Sequence, residues 1–216
     1  DLDPQAHSTL IFYNLNSECT ANNIFLDSKM NIENAIYPAE TDNKIINNLY
    51  VIPSNIKLAM VAEQISSKVH REKILYKKII GLSEKFDFII IDCPPTLNVL
   101  SINGIYAADK FLIPVTYSRY ALDGVADLFS TIKEVKENDN VNYKVVKNGY
   151  DARTAQTNRF IDSELANAEA KIAKSIIRKS ESINQAAING MPVYIFDPKG
   201  YGAEDFNLLT KEVIDG

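Results

Sequence analysis

The chain has 216 residues, of which 46% are hydrophobic and 24% charged, and its formal net charge is -5. This length can bury one good core, and no linker-like stretch or internal repeat divides it, so we expect a single domain over residues 1–216. The acidic balance argues against a dedicated nucleic-acid-binding module and leaves a local basic patch for any such contact.

Cysteine usage bounds the chemistry further. The two cysteines, Cys19 and Cys93, form no Cys-x-x-Cys pair, which leaves zinc and iron–sulfur sites without support. So few cysteines and no signal peptide predict a reducing cytoplasm. The longest apolar runs are too short to span a bilayer.

Apolar patterns predict strands that alternate with helices along the chain. Short β-branched runs bounded by Pro, Asn or Asp favour strands, and apolar residues spaced near 3.6 favour helices. In chain order, we predict strands at Asn48–Pro53, Phe88–Ile91, Lys110–Val115, Tyr143–Asn148 and Pro192–Asp197, and helices at Arg71–Phe86, Ala121–Lys136, Phe160–Ala173 and Ala203–Val213. This alternation predicts an α/β three-layer sandwich with a mostly parallel sheet flanked by helices.

The most pronounced run is Phe88–Ile91, which we expect to be a strand buried on both faces. Ligands of such sheets bind at the carboxyl ends of the strands, where this run places Asp92. Asp1 and Asp3 fit the same role at the end of a further strand. A carboxylate at a buried strand end is costly to desolvate unless a metal ion or hydrogen bonds compensate. Taken alone, Asp92 is equally well explained as a cap of the next turn.

Several motifs together carry a resemblance to a known family. They are "DLDPQ" at Asp1–Gln5, "FIIIDCPPTLNVLSINGIYAAD" at Phe88–Asp109, "IPV" at Ile113–Val115, "YALDGV" at Tyr120–Val125, "NGYDART" at Asn148–Thr154 and "GMPVYIFDPKGYGAEDF" at Gly190–Phe206. In this order they resemble the ParA/Soj branch of the deviant Walker A ATPases across essentially the whole chain. The resemblance implies a P-loop NTPase-like fold, with ATP and Mg²⁺ as cofactors.

One family element is missing from the 216 residues. No G-x-x-x-x-G-K-[ST] motif occurs anywhere in the chain. Such a loop supplies backbone N–H groups and a lysine that hold the phosphates. In the family, this loop lies in a first βαβ part ahead of "DxDPQ", so we expect the sequence to lack that N-terminal part. We expect this chain alone to bind ATP weakly and to be unstable or prone to aggregation.

The resemblance assigns roles to individual acids. Asp3 matches the catalytic residue that orients the attacking water, and Asp1 and Asp92 match acids that hold the water shell of Mg²⁺. One departure is Ala6-His7, where the family often reads Gly-Asn. His7 itself is more simply a solvated loop residue than a catalytic one.

The resemblance also assigns nucleotide contacts. Asn148 matches a residue near the adenine, whose base edge an amide can satisfy as donor and acceptor. Asp197 and Pro198 match a loop over the base. For Asn148, a strand-end turn residue before Gly149 is the competing interpretation.

Candidate DNA-binding residues lie in "KIAKSIIRKS". Family members bind DNA non-specifically as ATP-bound dimers, and phosphate contacts of that kind need charge rather than sequence readout. Glu181 and Ser182 stand where the family often has a further arginine. A solvated edge of a helix and a strand is the competing interpretation. The candidates are Lys171, Lys174, Arg178 and Lys179.

The resemblance finally implies partners and a place in the cell. ATP would close two subunits into a homodimer that binds nucleoid DNA in the cytoplasm, and a ParB-like partition protein would stimulate hydrolysis. The C-terminal "FNLLTKEVIDG" lacks the basic amphipathic helix of membrane-docking relatives, so no membrane contact is expected. A non-catalytic binding module that has lost the phosphate loop is the alternative. A Rossmann-type oxidoreductase is disfavoured because no G-x-G-x-x-G follows a strand.

Overall fold

The computed structural model describes residues 1–13, 17–167 and 170–215, and it leaves out the side chains of residues 119–123. The chain forms two compact units, Asp1–Ala108 and Asp109–Gly216, each of which is described by itself. The single domain expected over residues 1–216 stays a prediction. In the part of the chain described, no helix is both long and apolar enough to cross a membrane.

The first unit packs short helices around one core and a hairpin. Strands β1 and β2 are antiparallel, and Asp42 and Asn43 between them adopt the left-handed conformation that a tight hairpin turn requires. Phe25, Leu58 and Leu100 are among the fully buried side chains. Its elements are α1 (His7–Phe12), α2 (Ala21–Leu26), β1 (Tyr37–Thr41), β2 (Lys44–Val51), α3 (Leu58–Ile65), α4 (Ile74–Ile79) and α5 (Val99–Ala107), with 3₁₀ turns at Ile32–Ala35, Arg71–Lys73 and Ile80–Leu82.

The predicted helix over Arg71–Phe86 is shorter than its pattern. Only α4 is α-helical, and 3₁₀ turns precede and follow it. Gly81 lies in the second turn, where its conformational entropy weakens a continuing helix. The apolar spacing therefore predicts the centre of this helix correctly, but the α-helix is shorter than predicted at both ends.

The expectation for Phe88–Ile91 is wrong. The run is not part of a strand, and Phe88, Ile89 and Ile90 are 62%, 42% and 88% exposed. Among the described residues, the run makes no backbone hydrogen bond to a neighbouring strand. An apolar run can indicate a buried strand, but it becomes one only where a neighbouring strand provides the ladder.

Helix α5 passes close to the chain just after this run. A Cβ added at Gly104 would lie 2.5 Å from Cys93 Sγ and 3.4 Å from Ile91 Cγ2. Gly104 itself is buried, so an added methyl group would have to displace one of these atoms. The glycine therefore allows α5 to pack directly on the segment that carries Cys93.

We expect Gly104→Ala to lower the free energy of unfolding by about 2 kcal/mol, because the new methyl group overlaps the Cys93 sulfur. Chemical denaturation measures the loss. The double variant Gly104→Ala/Cys93→Ala should recover most of it relative to Cys93→Ala alone. Gly81→Ala is the matched control, since nothing lies within 4 Å of its added Cβ. An equal loss with and without the sulfur would contradict the overlap.

The second unit is an α/β layer built on a parallel sheet. The sheet order is β3-β4-β5, and both pairings are parallel. Helix α6 connects β3 to β4, and α7 connects β4 to β5. The elements are β3 (Phe111–Thr116), α6 (Arg119–Lys136), β4 (Tyr143–Tyr150), α7 (Ala155–Asn167), β5 (Ile172–Arg178), α8 (Glu181–Ile188), α9 (Val193–Phe196) and α10 (Tyr201–Asp215).

This unit confirms the predicted α/β class and most of its predicted elements. Strands β3 and β4 lie where the runs at Lys110–Val115 and Tyr143–Asn148 predicted them. The run Pro192–Asp197 was predicted as a strand but forms the short helix α9, which Pro192 precedes as its N-cap residue. A run of this length is too short for its apolar spacing to distinguish a strand from a helical turn. The helix predicted at Phe160–Ala173 ends at Asn167.

Helix α10 covers the open edge of β5 with two carboxylates. Glu212 accepts hydrogen bonds from the backbone N–H groups of Lys174 and Ser175, at 3.0 and 2.9 Å. Asp205 accepts one from the N–H of Arg178 at 2.9 Å. An edge strand presents unpaired donors that invite pairing with another chain. The side chains of α10 therefore satisfy the edge that the sheet leaves open.

The stability of this unit should depend on the ionisation of Glu212. Burial would raise the pKa of its carboxyl, but hydrogen bonds from Ser175, Lys174 and Lys144 outweigh it and hold the pKa at about 2. A pKa lowered in the folded state adds stability above the unfolded value of 4.5, and that stability is lost as the pH falls toward 2. We expect Glu212→Gln to cost about 2 kcal/mol at pH 7 and almost nothing at pH 2. Denaturation at both pH values measures it, and a loss that is equal at the two would contradict this account.

Candidate functional site

Three aspartates of the first unit form what we call the acidic cluster: Asp1, Asp3 and Asp92. The N–H of Leu2 donates to the carbonyl of Asp92 at 2.8 Å, which holds the two segments side by side. Leu2 is buried in the core, at 4% exposure. In an extended segment, its neighbours Asp1 and Asp3 point to the other face. The core thus anchors the segment that presents the two acids.

Asp1 is occupied by contacts within the protein. Its Oδ2 accepts from the N–H and the hydroxyl of Thr9, at 2.9 and 2.7 Å, and its Oδ1 accepts from the N–H of Asp3 at 3.0 Å. The Thr9 hydroxyl in turn accepts from the N–H of Ser54 at 2.9 Å. Asp1 therefore positions the start of α1 and the backbone of Asp3.

Asp3 stands at a tight turn. Its Oδ1 accepts from the N–H of Gln5 at 2.9 Å, and the carboxylate is half-buried. The next turn contains Ala6 in the left-handed conformation, with φ 57°, a conformation that costs a non-glycine residue roughly 1–2 kcal/mol. The family that the sequence resembles often has glycine at this position. Because alanine has less backbone freedom than glycine, Ala6 stiffens the loop that carries Asp3.

Asp92 has the most accessible carboxylate of the acidic cluster. It is exposed, and Ser8 of α1 donates its hydroxyl to Asp92 Oδ2 at 2.5 Å. Carboxylate and hydroxyl oxygens are hard ligands that suit Mg²⁺, which keeps several waters and binds through one or two carboxylates plus phosphates. The described residues contain no group of three or more His, Cys, Asp or Glu side chains that could hold a metal by themselves.

The thiol of the neighbouring Cys93 takes part in the packing of helix α5. The residue as a whole is exposed, but its Sγ faces Gly104. Burial raises the pKa of the thiol to about 11, with a further contribution from Asp92. A thiol protonated at neutral pH is a poor nucleophile and a poor ligand.

The second unit has a cavity of about 510 Å³ at the carboxyl ends of β4 and β5. This is the edge where open parallel sheets bind ligands. One wall holds Asp151 and Arg153, whose side chains pair at 2.7 Å. Hydrogen bonds from Arg153 hold the pKa of Asp151 well below its usual range. The lining residues are Tyr150, Asp151, Ala152, Arg153, Arg178, Lys179, Ser180, Glu181, Asn184 and Tyr201.

The guanidinium of Arg178 is held on the other wall. Its Nε and Nη2 donate to Asp205, at 2.6–3.0 Å, and Nη2 also reaches Glu204 at 3.0 Å. It lies 4.9 Å from the ring centroid of Tyr201. Those hydrogen bonds raise the pKa of Arg178 above its usual value. A cation with two carboxylate partners is a weaker candidate for DNA phosphates than the sequence suggested.

The other predicted DNA-binding residues remain exposed. Lys171 lies with its Nζ 5.4 Å from the ring centroid of Tyr143. Lys174 and Lys179 are exposed, and Lys179 also lines the cavity. None of these three lysines forms an ion pair within the described ranges.

The predicted nucleotide contacts are not gathered in one cavity. Asn148 is half-buried at the end of β4, in register with Thr116 and Ile177, and is not among the residues that line the cavity. Pro198 is exposed and lines a separate, open depression. A Cβ at Gly200 would lie 2.0 Å from the carboxylate of Asp197, so the Asp197 side chain packs directly over this glycine.

Sequence reasoning missed three residues of these sites. Ser8 and Thr9 contact Asp92 and Asp1, and their only sequence signal is their position just after "DLDPQ". Asp205 is buried, at 4% exposure, against Arg178. The 27 residues that separate the pair hide it from local patterns.

A family model described as an AAA domain matches residues 1–147. The sporulation initiation inhibitor protein Soj of Bacillus subtilis is 32% identical over 218 residues, which cover 99% of this chain and 84% of the relative. The chromosome-partitioning ATPase Soj of Treponema pallidum is 28% identical over 172 residues, with 78% and 68% covered.

A solved structure shares the fold. It is a putative plasmid partition protein of Borrelia burgdorferi bound to AMPPNP, which superposes with a TM-score of 0.77. It is 21% identical, and the match covers 99% of this chain and 84% of that chain. This likeness shows that the two chains share the α/β fold.

Proposed function

Because the chain belongs to the ParA/Soj-type family of partitioning ATPases, we propose that it forms the larger part of an Mg²⁺-dependent ATP hydrolase that segregates DNA. One observation carries the proposal: the Leu2–Asp92 hydrogen bond brings Asp3 and Asp92 to one place on the first unit. In this proposal, the two acids fill the roles of water orientation and Mg²⁺ binding that phosphoryl transfer requires.

The acids divide the work in this proposal. Asp92, exposed and bonded to Ser8, is the residue that would hold Mg²⁺ through water. Asp1, whose oxygens are engaged by Thr9 and Asp3, acts on the metal only indirectly by fixing the loop. When bound, Mg²⁺ would neutralise charge on the phosphates. Asp3 would accept a hydrogen bond from the attacking water and align it with the γ-phosphorus.

The phosphates need a partner that these residues do not provide. No phosphate-loop motif occurs in the 216 residues, so we propose that residues outside them supply the loop and its lysine. The cavity beside Arg153 and Tyr201 lies at the ligand-binding edge of its sheet. Asn148, Asp197 and Pro198 stay proposed contacts of the base.

The DNA step rests on charge. Lys171, Lys174 and Lys179 are exposed cations that form no ion pair in the described ranges, whereas Arg178 is neutralised by Asp205 and Glu204. ATP-dependent dimerisation, stimulation by a ParB-like partner and action on the nucleoid in the cytoplasm belong to the same proposal.

The proposal is tested by phosphate release from ATP, measured on the gene product that includes the phosphate loop. Turnover that requires Mg²⁺ and stops in EDTA supports it. A loop-containing protein that binds ATP without hydrolysing it favours a second function, a non-catalytic binding module. That alternative is supported by the missing motif in these 216 residues.

A further inference from the structure

A second basic surface lies on the first unit, far in sequence from the lysines considered above. Residues 68–78, "KVHREKILYKK", contain five Lys and Arg against one Glu, in a chain whose net charge is -5. Arg71, Lys73 and Lys77 form what we call the basic face. Within the described ranges, none of the three forms an ion pair with a carboxylate.

The backbone presents these side chains together. Lys73 is the N-cap residue of α4 and Lys77 lies four residues later, so their side chains share one side of the helix. Leu75 is buried on the opposite side. Lys78, also on that side, donates to the carbonyls of Asp27, Ser28 and Met30. The residues that point inward are thus distinct from those of the basic face.

A buried amide fixes this arrangement. Asn103 of α5 is fully buried, and its Nδ2 donates to the carbonyl of Arg71 at 2.7 Å. Its Oδ1 accepts from the N–H of Leu75 at 3.0 Å. Because a buried amide with satisfied hydrogen bonds is costly to disturb, the turn before α4 is rigid. The cations are therefore preorganised on a fixed backbone.

Two tyrosines extend the basic face. Lys73 Nζ lies 5.4 Å from the ring centroid of Tyr106, and that ring packs edge-on to Tyr76 with centroids 5.6 Å apart. Tyr76 is 38% exposed beside Lys77. Tyrosine hydroxyls are common donors to phosphate oxygens in DNA complexes. The surface thus combines cations that form no ion pair in the described ranges with the partly exposed hydroxyl-bearing ring of Tyr76.

We propose that the basic face binds the phosphate backbone of duplex DNA, as a contact separate from Lys171, Lys174 and Lys179. This inference rests on the proposed function, because that function makes DNA the polyanion that the protein would bind. Duplex DNA carries one charge per roughly 1.7 Å of its axis, so closely spaced cations each meet a phosphate. The basic face lines neither cavity described above, which argues against a small enclosed ligand. A charged surface without a pocket can bind the phosphate backbone of DNA but offers no site that would enclose a base.

The test measures binding of a fluorescent random-sequence duplex by anisotropy over a range of salt concentrations. We expect Lys73→Gln/Lys77→Gln to weaken binding about tenfold at low salt and to reduce the salt slope by about 2, one unit per lost phosphate contact. Lys77 is exposed and Lys73 is half-buried, and circular dichroism checks that the fold is kept. Lys29→Gln/Lys44→Gln is the control, because it removes the same charge at two exposed positions of the unit.

The comparison variant Lys174→Gln/Lys179→Gln separates this inference from the proposed function. A reduced slope in the basic-face variant and an unchanged slope in the control support the inference, whatever the comparison variant does. An unchanged slope in the basic-face variant overturns it, even where the comparison variant loses binding and the proposed DNA step stands. Equal losses in the basic-face and control variants also overturn it, since net charge alone then explains them. Turnover of ATP is measured separately and judges the proposed function.

Discussion

Asp3→Asn is expected to lower ATP turnover by at least about 100-fold in the loop-containing protein, with little change in ATP affinity. A carboxylate that orients water acts in the transition state and contributes little to binding of the ground state. Asparagine is the informative substitution because its amide oxygen can still accept from the N–H of Gln5, which Asp3 Oδ1 does at 2.9 Å. The turn is kept while the negative charge is lost. Phosphate release measures the rate, and calorimetry measures the affinity.

The control for this experiment uses a second turn of the same kind. Asp27 Oδ1 accepts from the N–H of Lys29 at 2.8 Å, also two residues ahead, at an exposed position. Asp27→Asn should leave turnover unchanged. Normal turnover in Asp3→Asn would mean that Asp3 serves the turn alone and that another group orients the water.

Asp205→Ala is expected to lower the free energy of unfolding by about 3 kcal/mol. The carboxylate is only 5% exposed, and it accepts from the guanidinium and the backbone N–H of Arg178. Its removal leaves that N–H and part of the guanidinium without partners. Chemical denaturation at pH 7 measures the change.

The neighbouring residue provides the control. Glu204 binds the same guanidinium at 3.0 Å, but its side chain is 65% exposed. Exposed ion pairs contribute at most about 1 kcal/mol, so Glu204→Ala should cost far less than Asp205→Ala. Similar losses in both variants would show that burial does not distinguish the two carboxylates. A gain in DNA affinity on Asp205→Ala would indicate that Asp205 holds Arg178 away from phosphates.

The sequence predicted the elements whose pattern reports local geometry. Strands β3 and β4 followed from β-branched runs, and α6 and α10 from helical spacing. Phe88–Ile91 carries the same signal as β3, but strand formation depends on a ladder partner that periodicity does not report. Pro192–Asp197 failed for a different reason, because four to six apolar residues fit a helical turn as well as a strand.

The candidate site divides in the same way. The sequence predicts Asp92 at the end of a strand over Phe88–Ile91, but no strand forms there. The backbone hydrogen bond between Leu2 and Asp92 instead holds the segments of Asp3 and Asp92 side by side. The occupation of Asp1 by Thr9 was not foreseeable, since it depends on how α1 folds back on the loop. The neutralisation of Arg178 likewise depends on the packing of α10 against β5. Contacts between distant segments were the part that local patterns could not specify.

We propose that the acidic cluster is part of an Mg²⁺–ATP site whose phosphate loop lies outside these 216 residues. Calorimetric titration with ATP and Mg²⁺ tests it most directly, on the 216-residue chain beside a form extended by the coding sequence upstream of Asp1. We predict that the extended form binds and that the shorter chain binds far more weakly. Micromolar binding by the 216-residue chain alone, or none by an extended form that contains the loop, would contradict the claim.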